Sequence, residues 1–271
     1  MIGASRASFV EARERLEAAL SAGDPAAFGD ELFAVLHLLD REHVLRRALS
    51  DPAQPADRRA ALAAGVLDGR VAVAVRDFVA EVVRLRWARS TALADAVEEL
   101  AVTAVAAGAE QQGRIDDLED ELFRFGRIVE AQPELRGVLV DRRVPGERKA
   151  ELVTTLLEGK TTAATVRLVS EAVTHSRGRS LERALETYGR IAAERRDRLV
   201  ALVRTAVELD DRQRTRLTTA LSAQYGRDVH LNIEVDPAVV GGISVQIGDE
   251  EIDGTIARRL EDVRRRIERS S

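Results

Sequence analysis

Asp30-Glu31-Leu32-Phe33 returns ninety residues later as Asp120-Glu121-Leu122-Phe123. Held at that offset without gaps, residues 30–90 and 120–180 share 20 identities in 61 positions. Roughly five would arise by chance in so Ala- and Arg-rich a chain. The matches include Leu45/Leu135, Asp51/Asp141, Pro55/Pro145, Arg58/Arg148, Gly69/Gly159, Glu81/Glu171 and Arg89/Arg179. An internal duplication of this kind forces both copies into one local architecture. Two copies are too few for a long solenoid, so the pattern predicts two tandem helical bundles.

Each copy reads as a series of helices. A first helix over about residues 5–22 ends at Gly23, and Asp24-Pro25 starts the next as N-cap and first-turn proline. Leu32, Leu36 and Leu39 then recur at helical spacing. A proline-marked turn over 51–56 precedes a short helix that stops at Gly69, a usual position just past a helix end. In the second copy the expected helices are near 95–107 and 117–131, then one between Pro145-Gly146 and Gly159, then 162–174 and 181–196.

From about Leu199 the texture changes. Residues 199–206 alternate like a strand, and 210–225 read as a helix ending at Gly226. Val229, Leu231, Ile233 and Val235 alternate with polar residues, and Ile243, Val245 and Ile247 do so again. Gly241-Gly242 between them supplies positive φ or close backbone approach. Asp253-Gly254 then opens a helix whose apolar stripe is Ile256, Leu260, Val263 and Ile267. The fold class is therefore mainly α with a small α/β C-terminal domain of β-α-β-β-α order. The expected domains are residues 1–92 (bundle, copy one), 93–196 (bundle, copy two) and 197–271 (α/β).

The order Asp236, Val239-Val240, Gly241, Gly242, an alternating strand, Gly248-Asp249, Ile252, Asp253-Gly254 resembles a known signature. It is that of the δ subunit family of F-type ATP synthases, called the oligomycin-sensitivity-conferring protein in mitochondria. The family's N-terminal bundle is similar to copy two, with Ser176-Arg177-Gly178-Arg179 followed by Leu181, Leu185 and Tyr188. Copy one is the extra part, as in an actinobacterial-type long form. The resemblance implies a non-catalytic stator subunit without cofactor. Its implied partners are the N-terminal helix of an ATP synthase α subunit and the C-terminal helix of subunit b. It further implies a peripheral place on the cytoplasmic face of the plasma membrane. By family position the α-binding groove lies between the 95–107 and 162–174 helices, with Val97, Leu100, Val166 and Val169 as candidate lining residues.

Composition narrows the alternatives. With a net charge of −5 there is no bulk basic field to hold nucleic acid. The arginines at 258–269 motivate a rival reading, a helical adaptor whose basic C-terminal helix touches nucleic acid, but Glu261, Asp262 and Glu268 interrupt them. There is no cysteine, which removes disulfides and thiolate chemistry. The first eight residues lack a signal-peptide apolar core, and the longest apolar run, 104–109, is far short of a span. A cytoplasmic protein without bilayer insertion is expected.

Gly159-Lys160-Thr161 ends like a phosphate-binding loop, yet Thr154 stands where that loop needs its first glycine. A helix C-cap is the better reading. Asp249, Glu251 and Asp253 fit the early positions of a calcium loop, but Leu260 replaces the bidentate glutamate. His37, His43, His175 and His230 are scattered with no second ligand at metal spacing. No catalytic, cofactor or metal residues are expected.

Overall fold

The computed structural model describes residues 4–21, 23–196, 199–226, 229–236, 239, 241–247 and 250–253. It divides into a unit over residues 1–196 and another over 197–271. The described part of the first unit is helical. Its elements are α1 (Ala4–Leu20), α2 (Pro25–Arg41), α3 (His43–Ser50), α4 (Ala56–Leu67), α5 (Val73–Arg84), α6 (Ser90–Gln111), α7 (Ile115–Ala131), α8 (Pro133–Val140), α9 (Gly146–Leu157), α10 (Ala163–Thr174) and α11 (Leu181–Arg196).

The duplication is visible in these bounds. Every start and stop of α2–α5 reappears ninety residues later in α7–α10. α6 serves twice: moved by ninety, α1 falls on 94–110 and α11 on 91–106, both within α6. It closes the first six-helix set and opens the second. The expected division at 92/93 therefore falls inside the first turn of α6, and helices of both copies build one continuous hydrophobic core around it.

The physical reason lies in the residues of α6. Between Ala92 and Ala109 only Asp95 is exposed and only Glu99 half-buried. A helix apolar on every side must be covered on every side. Small residues permit that crowding. α2 runs so close to α6 that a Cβ built on Gly29 would lie 2.7 Å from Val105 Cγ2 and 3.0 Å from the Ala101 carbonyl oxygen. One on Gly108 would lie 3.0 Å from Ala26 Cβ.

The repeated Asp-Glu-Leu-Phe acquires a structural meaning. Glu31 accepts the Ala72 amide at 2.6 Å, at the start of α5. Ninety residues on, Glu121 accepts the Thr162 amide at 2.9 Å, at the start of α10. Each carboxylate satisfies an orphan donor at a helix N-terminus, where negative charge is favoured. Leu32 and Leu122 are buried in the core. Asp24 caps α2 by accepting from Ala26 N at 2.9 Å, with Pro25 in the first turn, as the sequence predicts. Gly69 and Gly159 follow α4 and α9 with φ of 66° and 71°.

The second unit contains β1 (Leu199–Thr205), α12 (Asp211–Tyr225), β2 (Val229–Val235), β3 (Ile243–Ile247) and β4 (Glu250–Asp253). The sheet order is β2-β1-β3-β4. β1 and β2 pair in parallel and the rest antiparallel. α12 is the crossover that a parallel pair requires. It starts on a capping box between Asp210 and Gln213. Ala201, Val203, Val229, Val245 and Ile247 meet Leu209 and Leu221 in a small core of their own. β4 adds a fourth strand to the expected order, and the expected helix after Asp253 lies outside the described residues.

Candidate functional site

The four residues expected to line a partner groove do not share an open surface. Val97 and Leu100 are buried on α6, and Val169 is buried on α10. Val166 is half-buried against the same core. Because α6 is enclosed by both copies, these side chains are spent on internal packing. In copy one Val79, the counterpart of Val169, is buried, but the α1 side is open. Val10 on α1 stands ninety residues before Leu100 and is 52% exposed.

Beside the buried valines lies a charged network that sequence reading missed. Glu98 on α6 is only 2% exposed. It accepts from Tyr188 Oη of α11 at 2.8 Å and from the guanidiniums of Arg177 and Arg179. Arg177 also reaches Asp95 at 3.0 Å and Asp40 of α2 at 2.9 Å. Burial opposes the charge on Arg177, but Glu98, Asp40 and Asp95 outweigh it and raise its pKa. Burial, then Glu98, pushes the Tyr188 phenol upward, so it stays a donor. Arg177 has a left-handed φ of 48°, uncommon for a residue with a Cβ, and its three carboxylate partners hold it there. The turn Ser176-Arg177-Gly178-Arg179 is thus a clasp that ties α2, α6 and α11 together. A second such tie joins Arg195 of α11 to Glu17 of α1 at 2.8 Å and Glu110 of α6 at 2.6 Å.

Two of the scattered histidines meet in space. His37 Nε2 of α2 lies 2.7 Å from Glu171 Oε1 of α10, and His175 Nδ1 lies 3.4 Å from the same oxygen. These are three groups of metal-ligating type. However, the imidazoles stack at 3.7 Å with planes only 20° apart. A metal must lie near the plane of each ring about 2 Å from nitrogen, and stacked rings cannot both offer that. Arg167 already occupies the other carboxylate oxygen at 3.1 Å. The cluster is a hydrogen-bonded contact between the copies.

Its titration has a definite sign. Burial lowers the His175 pKa below 6.5, with His37 and Arg167 adding to the effect and Glu171 and Asp40 opposing it. Glu171 is held below 4.5: burial opposes this, but the His37 hydrogen bond and the charges of His37, His175 and Arg167 prevail. Both groups bind protons more readily when unfolded, so each contributes stability at high pH that is lost on acidification. The unfolding midpoint in urea is expected to be flat above about pH 6.5 and to fall below it, then fall again below about pH 4.5 as Glu171 protonates. His175→Gln should remove the upper step and shrink the lower one, because the His175 charge is among those that hold Glu171 down; an unchanged profile in that variant would refute the assignment.

In the second unit, Gly241 and Gly242 take φ of 63° and 88°, the left-handed turn expected between β2 and β3. Asp236 begins that turn; its amide donates to Thr205 O at 2.9 Å, and its carbonyl accepts from Val239 N at 3.0 Å. Asp253 is the last residue of β4. Gly248, Asp249 and Gly254, like the arginines at 258–269, lie outside the described residues. Residues 250–253 pair with β3 as a strand rather than curving as a calcium loop. At Gly159-Lys160-Thr161 the Lys160 and Thr161 amides return to Leu157 O at 3.0 and 3.1 Å, which makes it a helix C-cap.

The buried charge clusters hold helices to one another, which defines a helical scaffold protein. Residues 101–267 match the family described as ATP synthase delta (OSCP) subunit. A Streptomyces avermitilis protein named ATP synthase subunit delta is 53% identical, covering 98% of both chains. A Thermobifida fusca protein of that name is 48% identical, covering 98% of this chain and 99% of its own. This chain belongs to the ATP synthase delta (OSCP) subunit family, whose members are structural and non-catalytic. The extra helical copy is common to these relatives, since they match over nearly the full length. No helix of the described residues is long and apolar enough to cross a membrane.

Proposed function

We propose that this chain is a stator link of an F-type ATP synthase. Its helical unit takes the N-terminal helix of an α subunit of the catalytic head. Its C-terminal unit takes the C-terminal helical end of subunit b, at the cytoplasmic face of the plasma membrane. Held between head and stalk, it stops the head turning with the rotor, so that proton-driven rotation yields ATP. The observation that carries this reading is the family match, which runs through the second helical copy and the Asp236–Gly254 signature alike. Such a link needs a slow off-rate rather than chemistry. Buried ties such as Glu98–Arg177 and Arg195–Glu17 suit a part that bears torque.

The burial of α6 favours a different head-side contact within the helical unit. The position proposed on α6 is buried, whereas its counterpart on α1 is open at Val10, beside α5, where Arg15 pairs with Glu81 at 3.2 Å. An α-subunit N-terminal peptide is therefore expected to dock along α1 and α5 as a helix in a groove. Val10→Asp should weaken that peptide's binding by about tenfold or more and leave binding of a soluble b fragment unchanged. Titrating labelled peptides measures both. Undiminished α binding would reject the α1 site, and a wild-type chain that binds neither peptide would reject the stator reading.

A further inference from the structure

The duplication shows what covers a helical face in one copy and leaves it bare in the other. In copy one, α2 carries a stripe of Asp30, Phe33, His37 and Asp40. Each member of it is met from copy two. Arg167 of α10 pairs with Asp30 and stands 4.3 Å over the Phe33 ring. Glu171 of α10 takes His37 at 2.7 Å, and Arg177, just past α10, takes Asp40 at 2.9 Å. Phe33 is fully buried as a result.

Ninety residues on, α7 carries Asp120, Phe123, Arg127 and Glu130. The chemistry is kept position by position: acid, phenylalanine, a basic group, acid. Here no helix of the described residues covers it. Phe123 is 69% exposed, and all four residues line a groove of about 820 Å³ between α7 and α11. The lining holds seven carboxylates against three guanidiniums. Its floor is hollow as well. Gly126 stands where copy one has the buried Leu36, and a Cβ built on Gly126, or on Gly189 across the groove, meets nothing within 4 Å.

We propose that the α7–α11 groove is a docking site for an amphipathic helix of another chain that carries the charge pattern of α10. That pattern is a cation to stand over Phe123 and pair with Asp120, an acid four residues later for Arg127, and a second cation beyond for Glu130. An apolar side chain fills the hollow over Gly126. The charge excess of the lining favours a cationic partner, and an exposed aromatic flanked by acids is the natural seat of an arginine. This site is separate from the α1–α5 face, and it stands or falls independently of the stator reading.

The test uses the full chain and a labelled peptide of residues 163–179 of its own sequence. A staple joins positions 165 and 169, on the side away from Arg167, so that the peptide is already helical. Saturable one-to-one binding by fluorescence anisotropy is expected. Phe123→Asp and Gly126→Leu should each weaken it by about tenfold or more, as should Arg167→Glu in the peptide. Both positions open on solvent or empty space, so circular dichroism of the two variants should match the parent. No saturable binding would overturn the proposal. Binding indifferent to both variants would also overturn it, by showing that the peptide displaces the resident α10 from α2.

Discussion

Glu98→Ala is expected to destabilise the helical unit by about 3–5 kcal/mol, the usual effect of removing one member of a buried, hydrogen-bonded charge group. The carboxylate is the shared acceptor for Arg177, Arg179 and Tyr188. Its loss strands a guanidinium whose side chain is only 12% exposed, leaving Asp40 and Asp95 to hold it. Glu98→Gln keeps the shape but not the charge and should cost about half as much, because charge-assisted bonds are roughly twice as strong as neutral ones. Arg177→Met combined with Glu98→Leu should recover part of the loss, since it removes the stranded guanidinium, though Tyr188 and Arg179 still lose their acceptor. Urea unfolding followed by Trp87 fluorescence measures all three. Trp87 is the only tryptophan and is buried in copy one, donating to Val82 O at 3.0 Å. It therefore also reports whether damage in the copy-two clasp is felt across the unit. A Glu98→Ala midpoint equal to the parent's would show that the network contributes nothing.

The sequence disclosed whatever was local or repeated. Asp24-Pro25 and Gly241-Gly242 act through their own backbone or the next few residues, so capping and turn rules find them. The ninety-residue offset carried over to four pairs of helices with identical bounds. α3 and α8 escaped notice because they are eight-residue helices with almost no buried stripe; Val44 of α3 is largely exposed. What sequence could not supply was the sharing of α6. Its run of alanines and valines fits one bundle's core or two, and only the packing shows that both copies claim it. The same gap hid the burial of the expected groove residues. Val97 and Leu100 lie on a helix that both copies enclose. Glu98, too, has the look of a surface charge until Tyr188, ninety residues away, is brought against it. His37 and Glu171 are 134 positions apart, and no spacing rule reaches that far.

Removing residues 1–89 is expected to abolish the native monomer rather than release a smaller, working chain. The length of the family match, 101–267, invites the opposite expectation, because the segment left behind contains the matched region entire. The packing argues against it. α6 would keep α7, α10 and α11 but lose α1, α2 and α3, and α2 is the helix packed most extensively against it. Ala101, Val105 and Gly108 would then face water where Gly29 and Ala26 now lie in contact. α10 would lose the cover that His37, Phe33 and Asp30 give to Glu171 and Arg167, and Arg195 would lose Glu17. Exposing several alanine- and valine-sized side chains at about 25 cal/mol per Å² costs on the order of several kcal/mol, against a total domain stability of about 5–15 kcal/mol. A bare apolar helix face of that length also seeks a partner, so self-association is the expected escape. Light scattering after size exclusion should show oligomers or aggregate, and thermal melts should lack a sharp transition. A monomeric fragment that melts cooperatively with native helix content would establish copy two as an autonomous domain, with the shared α6 merely tolerated by it.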